Sequence, residues 1–308
     1  MSVDLSVDVG PIHLRNPVLV ASGTFGYGEE YADHIDIKQL GGIVAKSITR
    51  QPRAGTPPPR IVETPSGMLN AIGLANVGVE TFITEKLPSL RSYGVPLIVN
   101  IAGSTLDEYV DVAALLSGCE GLAGLELNIS CPNVERGGMF FGSDADSAHE
   151  LVAAVRRVTS LPLIVKLTPN VTDIATIAAR VVDAGADIVS LINTLVGMAI
   201  DVTTRQPKLA NVTGGLSGPA IRPVAVAMVW KVVRRITAPV IGIGGIMTAE
   251  DALEFLIAGA RAVQIGTGNF VDPRTAMRVI GGLRAHLEKE HIRSVSDVIG
   301  SLHAEGQG

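Results

Sequence analysis

Short, unbroken apolar runs that end in small or polar residues recur along the chain. The first four are VLVASG (18–23), GIVAKSIT (42–49), PLIVNIAG (96–103) and GLELNISC (124–131). PLIVKLTPN (162–170), IVSLINT (188–194), PVIGIGGI (239–246) and AVQIGTG (262–268) follow. Continuous Val/Ile/Leu runs, rather than strict alternation, fit parallel strands covered on both faces. Between most of them lie stretches with helical periodicity: LDEYVDVAALLSG, DSAHELVAAVRRVTS, DIATIAARVVDAGA and AEDALEFLIAGA. The last follows Thr248, with Asp251 three residues on, which predicts a helix start closed by a capping box. Eight strands alternating with helices predict an α/β fold, a (β/α)8 TIM barrel, as one domain over residues 1–308. A doubly wound open sheet is the rival, but it rarely needs eight similar β–α units.

Two segments break the rhythm. Residues 51–78, rich in Pro and Gly, are too long for a simple connection, and residues 195–218 form a second insertion. Both follow strand ends, so in a barrel both lie over the C-terminal face, where barrel enzymes keep their sites.

Composition narrows the class. Hydrophobic residues make up 47% of the chain and charged residues 18%, which favours a sizeable core over disorder. Net charge is −5, and no basic cluster exceeds pairs such as Arg234-Arg235, so nucleic acid is not an expected partner. The two cysteines, Cys119 and Cys131, give no disulfide framework, as expected of a cytoplasmic protein. Neither a signal-peptide pattern nor an apolar stretch of membrane-spanning length is present.

In a barrel the strand-end residues converge on one mouth. Here they are Ser22, Lys46-Ser47, Asn100, Asn128 to Cys131, Lys166, Asn193-Thr194, Gly244-Gly245 and Gly266-Thr267. One asparagine at a strand end is ordinary turn chemistry; polar groups at nearly every strand end imply a site. The glycines after strands seven and eight lie where barrels hold a phosphate on backbone N–H groups. Neither is a dinucleotide fingerprint, and no Walker motif occurs. Lys46 and Lys166 follow apolar strand residues and need anionic or polar partners, or lose their charge; either could bind an anion or form a Schiff base. All six histidines are expected in helices, turns or tails, and HELVA lacks the second His of HExxH, so metal and His-triad chemistry lose their usual players. Cys131 is then a candidate base or nucleophile, because Pro132 ends its strand and Gly137, Gly138 and Gly142 suit a loop that closes over substrate. Cys119, at a helix end, reads as structural.

Together these stretches resemble the dihydroorotate dehydrogenases, flavin enzymes of pyrimidine synthesis. The carriers, in order over nearly the whole chain, are ASGTFGYG, AKSIT, NAIGLANVG, VNIAG, NISCPNVERGG, VKLTPN, INT, GGLSG, IGIGGI and IGTG. The resemblance implies a barrel that binds FMN and oxidises (S)-dihydroorotate to orotate on the route to UMP. It makes Cys131 the base that takes the C5 proton as hydride leaves C6 for the flavin N5. It assigns Asn70, Ala71, Ile72, Gly73, Leu74, Asn128, Asn133, Asn193 and Thr194 to substrate, and Lys46 to substrate and flavin together. Lys166 falls to the flavin N1/O2 edge, and Ser22, Ser47, Asn100, Asn128, Ile192 and Gly218 to the rest of the FMN site. Gly244, Gly245, Gly266 and Thr267 fall to its phosphate, and no metal is implied.

The membrane-bound class of that family has serine in place of Cys131 and an added N-terminal helix, so the chain resembles class 1. Within it, CPNVERGGMFFG resembles the 1B subclass, whose electrons pass to NAD through a partner subunit carrying FAD and an iron–sulfur cluster. A homodimer within a heterotetramer is implied with it. The alternatives are the fumarate-linked 1A subclass and a related flavin enzyme acting on another dihydropyrimidine. From a different class come a Schiff-base lyase or aldolase using Lys46 or Lys166, and a barrel that only binds.

Overall fold

The computed structural model describes residues 3–130 and 141–303. Eight parallel strands close into a barrel: β1 (Val18–Val20), β2 (Gly42–Ile48), β3 (Leu97–Ile101), β4 (Gly124–Asn128), β5 (Leu163–Leu167), β6 (Ile188–Leu191), β7 (Val240–Ile243) and β8 (Ala262–Ile265). Each pairs with its neighbours in sequence, and β8 closes on β1 through Val263↔Val18 and Ile265↔Val20. The apolar runs become strands because both faces are covered: β3 and β5 are buried at every position.

The predicted helices form, and each starts at a residue that can accept a bond from a free backbone N–H. Thr105 caps Leu106–Ser117, Asp144 caps Ala145–Arg156 and Asp173 caps Ile174–Asp183. Thr248 and Asp251 make the expected capping box at Ala249–Ile257. The first crossover departs from the repeat, with only the 3-10 turns Glu29–Tyr31 and Ile37–Gln39 between β1 and β2.

A short hairpin, Val7–Val9 with Ile12–Leu14, covers the opposite mouth, and its Gly10 turn sits against Ile188 and Pro239. This corrects the expectation for His13, which lies in a strand. The alternating burial of Ile12–Leu14 turns its side chain to solvent, away from the C-terminal face.

The two insertions make a single structure. Leu195–Met198, Thr213–Ser217, Gly67–Asn70 and Ile61–Thr64 form one antiparallel sheet in that order, with Leu195↔Leu216 and Leu216↔Leu69 in register. The backbones meet so closely that a Cβ on Gly67 would stand 1.9 Å from the Ser217 carbonyl oxygen. Glycine is what lets the two insertions join into one roof over the barrel mouth.

Candidate active site

Between the C-terminal strand ends and this roof lies a cavity of about 550 Å³, a size that suits a cofactor with a small substrate. Every barrel strand except β3 sends a wall residue to it, from the strand itself or from the turn that follows. Ser22 follows β1, Lys46 and Ser47 stand on β2, Asn128 ends β4 and Lys166 lies on β5. Ile192, Asn193 and Thr194 follow β6, Gly244 and Gly245 follow β7, and Gly266 and Thr267 follow β8. The roof adds Asn70 to Leu74 from the first insertion and Gly218 from the end of the second.

Asn100 is the described exception. It is fully buried inside the barrel, where it accepts from Ser47 Oγ at 2.6 Å and donates to Glu126 Oε1 at 2.7 Å. Its strand brings it near the mouth but one layer below the wall. Cys131, Asn133, Gly137 and Gly138 lie outside the described residues; their described flanks, Ser130 on one side and Gly142 on the other, are both on the wall.

The polar wall residues are held in place. Asn193 Nδ2 donates to Asn128 Oδ1 at 3.2 Å, and the Tyr109 hydroxyl donates to the Asn128 carbonyl at 2.6 Å. Asn170, which the sequence reading missed, donates to the Thr194 carbonyl at 2.9 Å and accepts from Val196 N at 2.9 Å, tying the second insertion to β5. Asn70 Nδ2 donates to the Gly215 carbonyl at 3.2 Å across the joined sheet. Leu74 closes its segment at φ +56°, a left-handed conformation uncommon for a bulky side chain.

Two cations reach the cavity among the described residues, Lys46 and Lys166. Burial pushes the Lys46 ammonium down from its ordinary value; Glu30 opposes the shift and Arg60 adds to it. Lys166 is 6% exposed, with its Nζ 4.0 Å from Glu126 Oε1. Glu126 was also missed. Its signal was there to read, a lone acid within the apolar run GLELN.

The turns after β7 and β8 line a cradle with Gly244, Gly245 and Gly266. A Cβ on Gly266 would meet nothing nearer than Ala21 at 3.8 Å, so the space beside it belongs to the cavity. Gly245 turns at φ +70°, and a Cβ there would come within 2.8 Å of the Gly218 carbonyl oxygen. Beside it, the Arg222 guanidinium is engaged by Asp251 and by Glu254 Oε2, the latter at 3.4 Å. An anion in the cradle would therefore be held by backbone N–H groups, as barrel phosphate sites are. Thr267 Oγ1 donates to Ser217 Oγ at 2.7 Å, which joins the cradle to the roof. Among the described residues no cluster of His, Cys, Asp and Glu has the makings of a metal site, and no helix is long and apolar enough to cross a membrane.

Fold and site together define an α/β-barrel enzyme with a cofactor-sized cavity at its C-terminal mouth, two cations among the described wall residues and a glycine-lined cradle after β7 and β8. Comparison with known proteins makes this specific: the dihydroorotate dehydrogenase family model matches residues 4–287. The curated dihydroorotate dehydrogenase B (NAD(+)) catalytic subunit of Geotalea uraniireducens is 58% identical over 299 residues, 97% of this chain and 98% of that protein. The protein of the same description from Pelobacter propionicus is 55% identical over 302 residues, covering 98% and 99%. That from Geobacter sulfurreducens is 54% identical over 299 residues, covering 97% and 98%. The chain belongs to the dihydroorotate dehydrogenase family.

Proposed function

We infer that this chain oxidises (S)-dihydroorotate to orotate as the FMN-binding catalytic subunit of an NAD-linked enzyme. The observation that carries this reading is a convergence. Every described residue that the family resemblance assigns to substrate or flavin, Asn100 apart, lines one cavity.

The donor set fits FMN: a glycine-lined cradle for its phosphate, a buried cation at the floor and a cavity of matching volume. When bound, FMN would supply the hydride acceptor for a substrate that loses a hydride from C6 and a proton from C5 as its C5=C6 double bond forms. Cys131, bonded to the wall residue Ser130, takes that proton; an ordinary thiol pKa of about 8.5 puts a thiolate within reach at neutral pH. Asn128 and Asn193, already bonded to one another, orient the substrate's amide and carboxylate groups with Asn70, Ala71, Ile72, Gly73, Leu74, Asn133 and Thr194. Lys46 spans substrate and cofactor. Lys166, a buried cation on the cavity wall, would offset negative charge on a bound reduced flavin. Ser22, Ser47, Ile192 and Gly218 complete the cofactor's walls, and Gly244, Gly245, Gly266 and Thr267 hold its phosphate.

The relatives' descriptions, with NAD(+) and "catalytic subunit" in them, support electron exit through a partner subunit. Two cysteines in 308 residues are too few to hold an iron–sulfur cluster here, so the cluster falls to that partner, and the resemblance to the 1B subclass puts FAD there with it. The same two cysteines suit a cytoplasmic location. We read residues 1–308 as one FMN-binding domain. A homodimer is supported by the exposed apolar residues of the second insertion, Val196, Met198, Ile200 and Val202, the last 87% exposed.

The purified chain is expected to be yellow and to bleach under anaerobic dihydroorotate but not under dihydrouracil. A colourless protein indifferent to FMN would sink the reading, and equal bleaching by both substrates would redirect it to another dihydropyrimidine. NAD reduction is expected only after a flavin and iron–sulfur partner is added, on a particle containing two copies of this chain. Reduction of NAD by the chain alone, or a monomeric chain within the active particle, would contradict the assembly.

A further inference from the structure

Beneath the cavity the barrel is polar where such barrels are usually filled with branched aliphatic side chains. Glu126 on β4 lies at its centre with no exposed surface. One carboxylate oxygen, Oε1, accepts from Asn100 Nδ2 at 2.7 Å and lies 4.0 Å from Lys166 Nζ. The other, Oε2, accepts from Ser190 Oγ at 2.9 Å and from Gln264 Nε2 at 2.7 Å. Gln264 gives its amide to this carboxylate although its own carbonyl then lacks a partner among the described residues. Side chains from β3, β4, β5, β6 and β8 thus meet at one buried anion, and Asn100 extends the connection to Ser47 on β2.

Stability alone gives little reason to keep it. A buried ion pair is often matched or exceeded by apolar residues of similar volume. What distinguishes this carboxylate is what it reaches. Lys166 is on the cavity wall, and so is Ser47, which Glu126 touches through Asn100. The only other charged group on the described wall is Lys46, whose charged neighbours are Glu30 and Arg60. Glu126 is therefore the single described anion set against the floor cation.

We propose that Glu126 is a positioning residue: it holds Lys166 as a cation, aimed at the cavity floor, before the substrate's electrons arrive. The proposal rests on the flavin reading above. With Glu126 in place the positive charge that meets the reduced ring is already present, so two electrons enter the site with one proton. Without it, the buried amine lacks a counter-ion in the oxidised state, and its compensating proton enters together with the electrons.

The test is a spectroelectrochemical titration of the FMN-loaded chain at several pH values. In Glu126→Gln one additional proton should accompany each electron pair. The two-electron equilibrium then changes a further tenfold per pH unit, which steepens the midpoint potential by about 30 mV per pH unit relative to wild type. Glu126→Asp keeps the charge but withdraws it from Lys166; its flavin reduction should slow at least tenfold with little change in KM for dihydroorotate. A yellow Glu126→Gln protein with the wild-type slope overturns the proposal. Should that variant not fold, a wild-type reduction rate in Glu126→Asp overturns it equally. Failure of the flavin reading is distinguishable, because then wild type itself neither holds FMN nor bleaches; a bleaching wild type beside an unaltered variant removes Glu126 alone.

Discussion

Cys131→Ser is expected to keep its FMN and to reduce it about 10²- to 10⁴-fold more slowly near pH 7, the range that a lost general base commands. Serine preserves the size and leaves the proton acceptor an alcohol, a far weaker acid than a thiol, so little of the basic form exists at neutral pH. The deficit should shrink as pH rises, because the serine enzyme depends on deprotonation that alkaline solution favours. Rapid mixing with dihydroorotate under anaerobic conditions, followed at the flavin absorbance band across pH, measures this directly. Cys119→Ser is the control. That thiol is half-buried at the end of Leu106–Ser117 with its Sγ 3.6 Å from the Leu115 carbonyl, and burial raises its pKa against a smaller lowering by Arg91. It is off the cavity wall and should reduce flavin at the wild-type rate. Wild-type kinetics in Cys131→Ser would remove the assigned base, and a slow Cys119→Ser would show that the readout reports general damage.

The barrel was legible because its strands announce themselves locally. A run such as LIVKL is apolar at each position except the lysine, and no partner need be known to see that it wants cover on both faces. The joined insertion sheet was not legible. Its strands are four or five residues long and rich in glycine, and Asn70 finds its partner Gly215 only 145 residues away. Register between segments so far apart is set by the closed barrel beneath them, which no window of sequence contains. The first crossover shows no helical periodicity in its sequence, and Gly26 and Gly28, both at positive φ, support tight turns there instead of the usual crossover helix. At the site, the strand-end rule found the wall but could not separate it from the layer beneath. Asn100 stands one residue before the end of β3 and Asn128 ends β4, yet one is fully buried against Glu126 and the other lines the cavity. Glu126 itself went unread because its role depends on four side chains brought together by four other strands.

Lys46→Met should stabilise the flavin-free protein while disabling it. The lysine lies in β2 on the cavity wall, and desolvation lowers its pKa in the fold, partly offset by Glu30 and reinforced by Arg60. Between the lowered folded value and the ordinary unfolded value of about 10.4, the unfolded chain binds more protons than the folded one, so stability climbs with pH across that window. Below the folded value the full cost of burying the ammonium is present. Methionine matches the stem and carries no charge, so the flavin-free variant should melt at a higher temperature than wild type at pH 7. Its advantage should fade as pH approaches 10, where wild type sheds the proton and the cost with it. Loss of a positioned cation beside the reacting groups should meanwhile slow flavin reduction by about 10²- to 10³-fold. Parallel melts and stopped-flow traces separate the possibilities. A variant less stable than wild type at pH 7 would mean that Lys46 is held by its neighbours rather than strained by burial. A variant that reduces flavin at full speed would leave the cation on β2 without a part in the chemistry. If both expectations hold, the fold keeps a destabilising charge at the one place on β2 where the proposed reaction uses it, and the opposite signs of the two effects identify Lys46 as a functional residue.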